Sequence, residues 1–199
     1  MFTSTSRRVQ YGLLLAATLL AVGCISPKSY VDPVLPKVEA STIKRDDPKV
    51  VVLEVQFFRK GERLPKADAQ VRDQVRLQLL ASGALKEVLL SPDPTKLLLK
   101  VDLDNVGDTG AAVAKGIGTG LTFGLVGSMV TDGYVFTATM NRVGLPPIQK
   151  VYKHAIHTTV GNKSGPEGLE PLSLTVAFNR VVEGLVLNLI KDLQAEGAL

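Results

Sequence analysis

The residues of this 199-residue chain that could do chemistry are few and scattered: His154 and His157, the carboxylates Asp102 and Asp104, Ser164 and Ser173, one cysteine, Cys24, and a glycine-rich run. Two histidines three apart could share a metal on a helix. Here the pattern over 149–160 reads as a strand, which sends positions i and i+3 to opposite faces. They are therefore read as surface or hairpin histidines, and no metal site is expected. Asp102 and Asp104 alternate on one strand face, the arrangement that paired carboxylates need for acid–base work. Lys96 and Lys100 stand beside them in the same alternation, so the face reads as solvated. Neither Ser164 nor Ser173 has the Gly-x-Ser-x-Gly surroundings of a hydrolase nucleophile. The chain thus reads as non-enzymatic, without a cofactor.

The glycine-rich run, GAAVAKGIGTGLTFGLVGSM over 110–129, raises the question of a phosphate cradle, and its spacing answers it. A dinucleotide fingerprint needs Gly-x-Gly-x-x-Gly, but after Gly116 and Gly118 the third site is Leu121, and after Gly118 and Gly120 it is Phe123. Lys163-Ser164 follows Asn162 rather than glycine, so a P-loop fails as well. Read in steps of four, Gly116, Gly120 and Gly124 form a small-residue groove beside Ile117, Leu121 and Leu125, the small-xxx-small pattern that lets helices approach closely in membranes. Small and large residues also alternate with a period of two, so a strand remains open. Five glycines would cost an isolated helix in water roughly 1 kcal/mol each relative to alanine. Three roles stay open: packing against its own domain, contact with a membrane, or self-association. These six residues are the expected interaction surface.

The N-terminus says where such a protein would sit. Arg7 and Arg8 precede an apolar run, Tyr11 to Val22, that is too short for the ~20 residues of a bilayer span and has the form of a secretory signal over 1–23. Its end, Ala21-Val22-Gly23-Cys24, resembles a bacterial lipobox, with Ala21 where that signal prefers leucine. The resemblance implies lipidation of Cys24 in a Gram-negative envelope. Ile25 and Ser26 carry no aspartate of the inner-membrane retention kind, so the implied location is the outer membrane, periplasmic face. Removing 1–23 takes away two arginines and no acid, leaving 21 basic and 19 acidic groups. A nearly neutral chain without a basic stripe and interleaved aromatics argues against nucleic acid. With one cysteine there is no intrachain disulfide.

Stepping along the chain, Pro27, Pro33, Pro36 and Pro48 mark 24–49 as a lipidated, proline-rich tether. The domain is expected over 50–199. It opens with a strand over 50–58. A helix follows from Pro65, with Val71, Val75 and Leu79 on one stripe and Gly83 as its stop. Its Arg72, Asp73 and Arg76 read as a solvated face. A short strand over 85–90, an alternating strand over 96–104, a hairpin of 134–143 and 149–160, and a closing helix over 172–195 complete the order. The glycine-rich apolar insert occupies 107–132. The fold class is α+β: a two-layer sandwich of a mostly antiparallel sheet with two long helices on one face. LAVGC, QLLASG and GLTFGLVGSMVTDGYVF before a hairpin together resemble small envelope lipoproteins with periplasmic α+β domains, such as TolB N-terminal-like and curli-G-like domains and transporter-auxiliary lipoproteins. That resemblance implies an accessory or assembly role with an envelope protein partner or a homo-oligomer, bound through the sheet edge or the insert. A membrane-active or self-associating structural protein is the alternative.

Overall fold

The computed structural model describes residues 27–107, 129–161 and 164–199. It is an α+β structure: one mixed sheet of seven strands and two helices. The strands are β1 (Lys28–Val31), β2 (Lys49–Arg59), β3 (Glu62–Arg63), β4 (Leu85–Leu89), β5 (Leu97–Gly107), β6 (Met129–Arg142) and β7 (Leu145–Thr159). The helices are α1 (Pro65–Ala81) and α2 (Leu174–Ala195). In space the strands run β1-β7-β6-β5-β2-β3, with β4 also on β2.

The sheet is mostly antiparallel, as expected, but its centre is parallel. Both β4 and β5 run parallel to β2, and the other four pairings are antiparallel. The reason is connectivity: α1 carries the chain from the end of β2 back to its start, so β4 can pair only in the parallel sense. Proline at the first turn suits α1, since an N–H there would have no helical partner. Gly83, at φ 76°, takes the left-handed position that ends it. The Arg63 guanidinium grips both carboxylate oxygens of Asp68 at 2.6 Å, and Asp68 also accepts from the Phe57 N–H at 2.8 Å, tying the start of α1 to β2. Helix α2 starts at Ser173, whose hydroxyl accepts from Val176 N–H.

One hydrophobic cluster holds these elements together. It takes Val71, Val75 and Leu79 from α1, Val181, Leu185 and Leu189 from α2, and the alternate residues Leu53, Leu99, Val101, Leu103, Phe136 and Met140 from the sheet. Lys100 and Asp102, in the intervening positions of β5, are exposed.

Three boundaries differ from expectation. The proline-rich segment is not a free tether from Lys28 onward: β1 pairs with β7, the Asp32 N–H donates to Ala155 O, the Asn188 amide donates to Pro36 O, and Ile43 is buried in the core. Prolines keep this stretch extended, and an extended strip can hydrogen-bond along β7 and α2 as readily as it can hang in solvent. The hairpin turns at Val143-Gly144 rather than at the prolines, and Pro146 and Pro147 lie inside β7. They are tolerated because β1 pairs only with Ile156–Thr159, leaving that part of β7 without an outer neighbour to which an N–H would donate. Gly107 and Met129–Asp132, expected in the insert, belong to β5 and β6. The rest of the insert, 108–128, lies outside the described residues.

Leu103 and Leu185 are both fully buried. Truncating either to alanine should cost about 2–5 kcal/mol in urea denaturation, whereas Leu77→Ala, at a position 58% exposed, should stay within about 0.5 kcal/mol of wild type.

Candidate functional site

The clearest polar constellation crosses three strands at one end of the sheet. His157 on β7 lies opposite Tyr30 of β1 and Thr131 of β6. Its Nε2 is 3.0 Å from Asp32 Oδ2, and its Nδ1 is 3.0 Å from Thr131 Oγ1. The other Asp32 oxygen accepts from the Val34 N–H at 2.8 Å. Because an ionised carboxylate can only accept, Nε2 carries the proton, and in the neutral ring Nδ1 accepts from the threonine hydroxyl. Burial pushes the Asp32 carboxyl up, but the hydrogen bonds from His157 and Val34 and the nearby imidazoles outweigh it and hold the group below its usual range. Hydroxyl, imidazole and carboxylate stand in the order that activates a nucleophile. His157 is only 1% exposed and Asp32 7%. Seated so deeply, the chain of groups acts as a clamp joining β1, β7 and β6.

His154 lies three positions back on the opposite face of β7, where its ring lies against Gly184 of α2. The expected opposite placement of the two histidines is observed. Their expected surface position is not: both are buried. α2 packs over His154, and His157 is held between Asp32 and Thr131 of the segments on either side. The His154 Nδ1 accepts from the Ala155 N–H at 3.0 Å. Burial drives its pKa down to about 4, with Asp32 only partly opposing.

The two carboxylates of β5 have different surroundings. Asp104 is taken up by the β2–β3 turn, where both its oxygens accept from the Gly61 N–H at 3.1 and 3.2 Å. Asp102 is exposed, with desolvation nudging its pKa upward against Arg63 and Lys100. Arg76 is less free than its solvated reading implied, since its Nε donates to Val88 O at 3.2 Å. Among the described residues no group of three His, Cys, Asp or Glu is placed to hold a metal. The expected interaction residues Gly116, Ile117, Gly120, Leu121, Gly124 and Leu125, and the expected lipidation site Cys24, lie outside the described residues.

At the opposite end of the sheet, around the β6–β7 turn, are two adjoining grooves that sequence reasoning did not find. One, of about 320 Å³, runs over Val52 and Leu98 between Pro92-Asp93-Pro94 and Arg142-Val143. The other, of about 610 Å³, continues past Lys96 and Arg142 to Leu145 and Gly197. Val143 and Leu145 are 74% and 57% exposed beside them. Arg142 donates through one terminal nitrogen to Pro146 O at 3.2 Å, while its buried Nε has no hydrogen-bond partner. The grooves combine an apolar rim with the cations Lys49, Lys96 and Arg142 and the carboxylates of Glu54 and Asp93. No sequence motif marks it, because its walls come from four separate stretches of chain.

No protein-family model matches the chain, and no curated protein matches it. Among solved structures, a PelC dodecamer from Paraburkholderia phytofirmans is similar at 15% identity over 84% of this chain and 97% of that one, with a TM-score of 0.32.

The buried histidine gives a pH signature. The lowered pKa of His154 means that the unfolded chain binds the extra proton between about pH 6.5 and 4, so stability is full above that window, falls by about 3 kcal/mol through it and levels off below. The depressed Asp32 carboxyl adds a further loss as pH drops through its folded pKa, below 3.8. Urea midpoints measured from pH 7 to 4 should therefore fall, and His154→Phe should flatten that part of the curve. Asp32→Asn should cost about 1–3 kcal/mol at pH 7 by the same measurement.

Proposed function

We propose that the chain is an outer-membrane lipoprotein on the periplasmic face, acylated at Cys24, that serves as a non-enzymatic accessory or assembly factor and binds a protein of the envelope. The observation that carries this reading is the position of β1. It begins only four residues after Cys24, at most about 14 Å of chain, and the Asp32–His157–Thr131 clamp locks it into the sheet. An anchor at Cys24 therefore holds the sheet itself beside the bilayer. The β6–β7 turn, with its grooves and the exposed Val143 and Leu145, then points the other way and is offered to the partner. In this reading both helices stand on one face of the sheet, as the burial of Leu99, Val101 and Leu103 and the exposure of Lys100 and Asp102 support.

A second reading, self-association or membrane action through Gly116, Gly120 and Gly124 beside Ile117, Leu121 and Leu125, draws support from where that segment is attached. Residue 129 enters β6 opposite Thr159, which also pairs with Lys28. The glycine-rich segment therefore rejoins the sheet at the end where the anchor enters.

Changing Cys24 to Ser should leave an unlipidated form that no longer fractionates with outer membrane. Wild-type protein taken from detergent-solubilised membranes should return a protein partner that Arg142→Glu with Leu145→Asp loses and Leu77→Asp keeps. Repeated purification with neither partner nor oligomer would sink the accessory reading. For the second reading, Gly120→Leu with Gly124→Leu should abolish oligomers in gel filtration, and an unchanged elution would remove it.

A further inference from the structure

The anchor end of the domain carries three exposed apolar side chains, one at the end of a cross-strand row and two on the first turn of α2. Leu172, Ser29, Thr158 and Val130 lie in one row across four neighbouring segments, since Ser29 bridges Leu172 and pairs with Thr158, which pairs with Val130. At the strand spacing of about 4.8 Å this row is roughly 14 Å wide. Val130 at its end is 49% exposed. Helix α2 starts two residues after Leu172, and its first turn presents Leu174 and Val176, 51% and 42% exposed. The exposed Lys28 stands at the same end, one residue before Ser29. The clamp and the hydrogen bonds between Ser29 and Leu172, at 2.8 and 2.9 Å, hold this edge to the rest of the domain.

We propose that this end is a bilayer-contacting surface, in which Val130, Leu174 and Val176 dip into the lipid interface and Lys28 meets anionic headgroups. The inference rests on the reading of Cys24 as acylated. Length of chain decides the occupant: with Cys24 in the membrane and at most about 14 Å of chain to Lys28, the surface at Lys28 cannot stand clear of the interface. Branched apolar side chains at that depth are partitioned favourably, and a lysine beside them is attracted to acidic lipid. Contact at a second place fixes orientation, which acyl chains on a single residue cannot do. The grooves at the opposite end then face away from the lipid.

The chain contains no tryptophan, so one introduced indole reports its own surroundings. Full-length lipidated protein carrying Leu174→Trp, or Val130→Trp as a second probe, is reconstituted into phosphatidylethanolamine–phosphatidylglycerol vesicles containing brominated phosphatidylcholine. Leu77→Trp, at an exposed position of α1 near its far end, is the reference. Far-UV circular dichroism matching wild type establishes folding, and the intact mass establishes acylation. Emission at 174 and 130 should be quenched several-fold more strongly than at 77. Equal quenching at the three positions in an acylated protein overturns this proposal and leaves the anchor reading standing. A blue shift at 174 without bromine quenching overturns it in favour of a second copy or another protein. An intact mass without acyl chains overturns the anchor reading and this surface together.

Discussion

The architecture depends on one four-residue strand. β1 joins the sheet through its ladder to β7 and through a buried carboxylate that accepts from a buried imidazole. A histidine inside a sheet is costly unless both ring nitrogens are engaged. Here Asp32 takes one side and Thr131 the other, so the same two contacts that satisfy His157 also fasten the first strand to the third in the spatial order. The segment after β1 then runs along α2, with Pro36 accepting from Asn188 and Lys44 exchanging two hydrogen bonds with Gln194. Leu35 of this strip and the His154 ring both stand beside Gly184 of α2.

A second consequence concerns direction. Because β7 runs from the groove end to the end where β1 begins, the fold has two distinct poles in line with the strands. One lies within a few residues of Cys24, and the other gathers Arg142, Lys96 and the exposed turn. A domain fixed rigidly at one pole presents the other at a constant orientation, which a domain on a long flexible tether would not do.

Much of the fold was legible in sequence, and the elements with strong periodicity were the most legible. Val71, Val75 and Leu79 mark the buried stripe of α1, Pro65 its start and Gly83 its stop. Leu99, Val101 and Leu103 alternate with Lys100 and Asp102 as a strand with one wet face must. The β1 segment was not legible because four residues among prolines carry too little pattern to distinguish a strand from an extended linker. The burial of His154 and His157 escaped as well, because spacing puts them on opposite faces of a strand without showing that α2 packs on one and Asp32 meets the other. The parallel pairing of β4 escaped for a different reason, since strand direction depends on what the intervening helix spans and leaves no mark on the strand's own residues. The grooves escaped because their walls are distant in sequence and none of their residues is chemically unusual alone.

The sequence by itself determined the α+β class, the two helices and their buried stripes, and the opposite placement of the two histidines on their strand. All of these follow from local periodicity and spacing, which act over a few residues. Only the tertiary structure decided that Asp32 meets His157 across 125 positions, that the proline-rich segment is part of the sheet, and that Arg142 lines a groove at the opposite end of the strands from Lys28. These depend on long-range pairing, where the partner of a group is chosen by topology and by the need to satisfy buried polar atoms rather than by its neighbours in the chain.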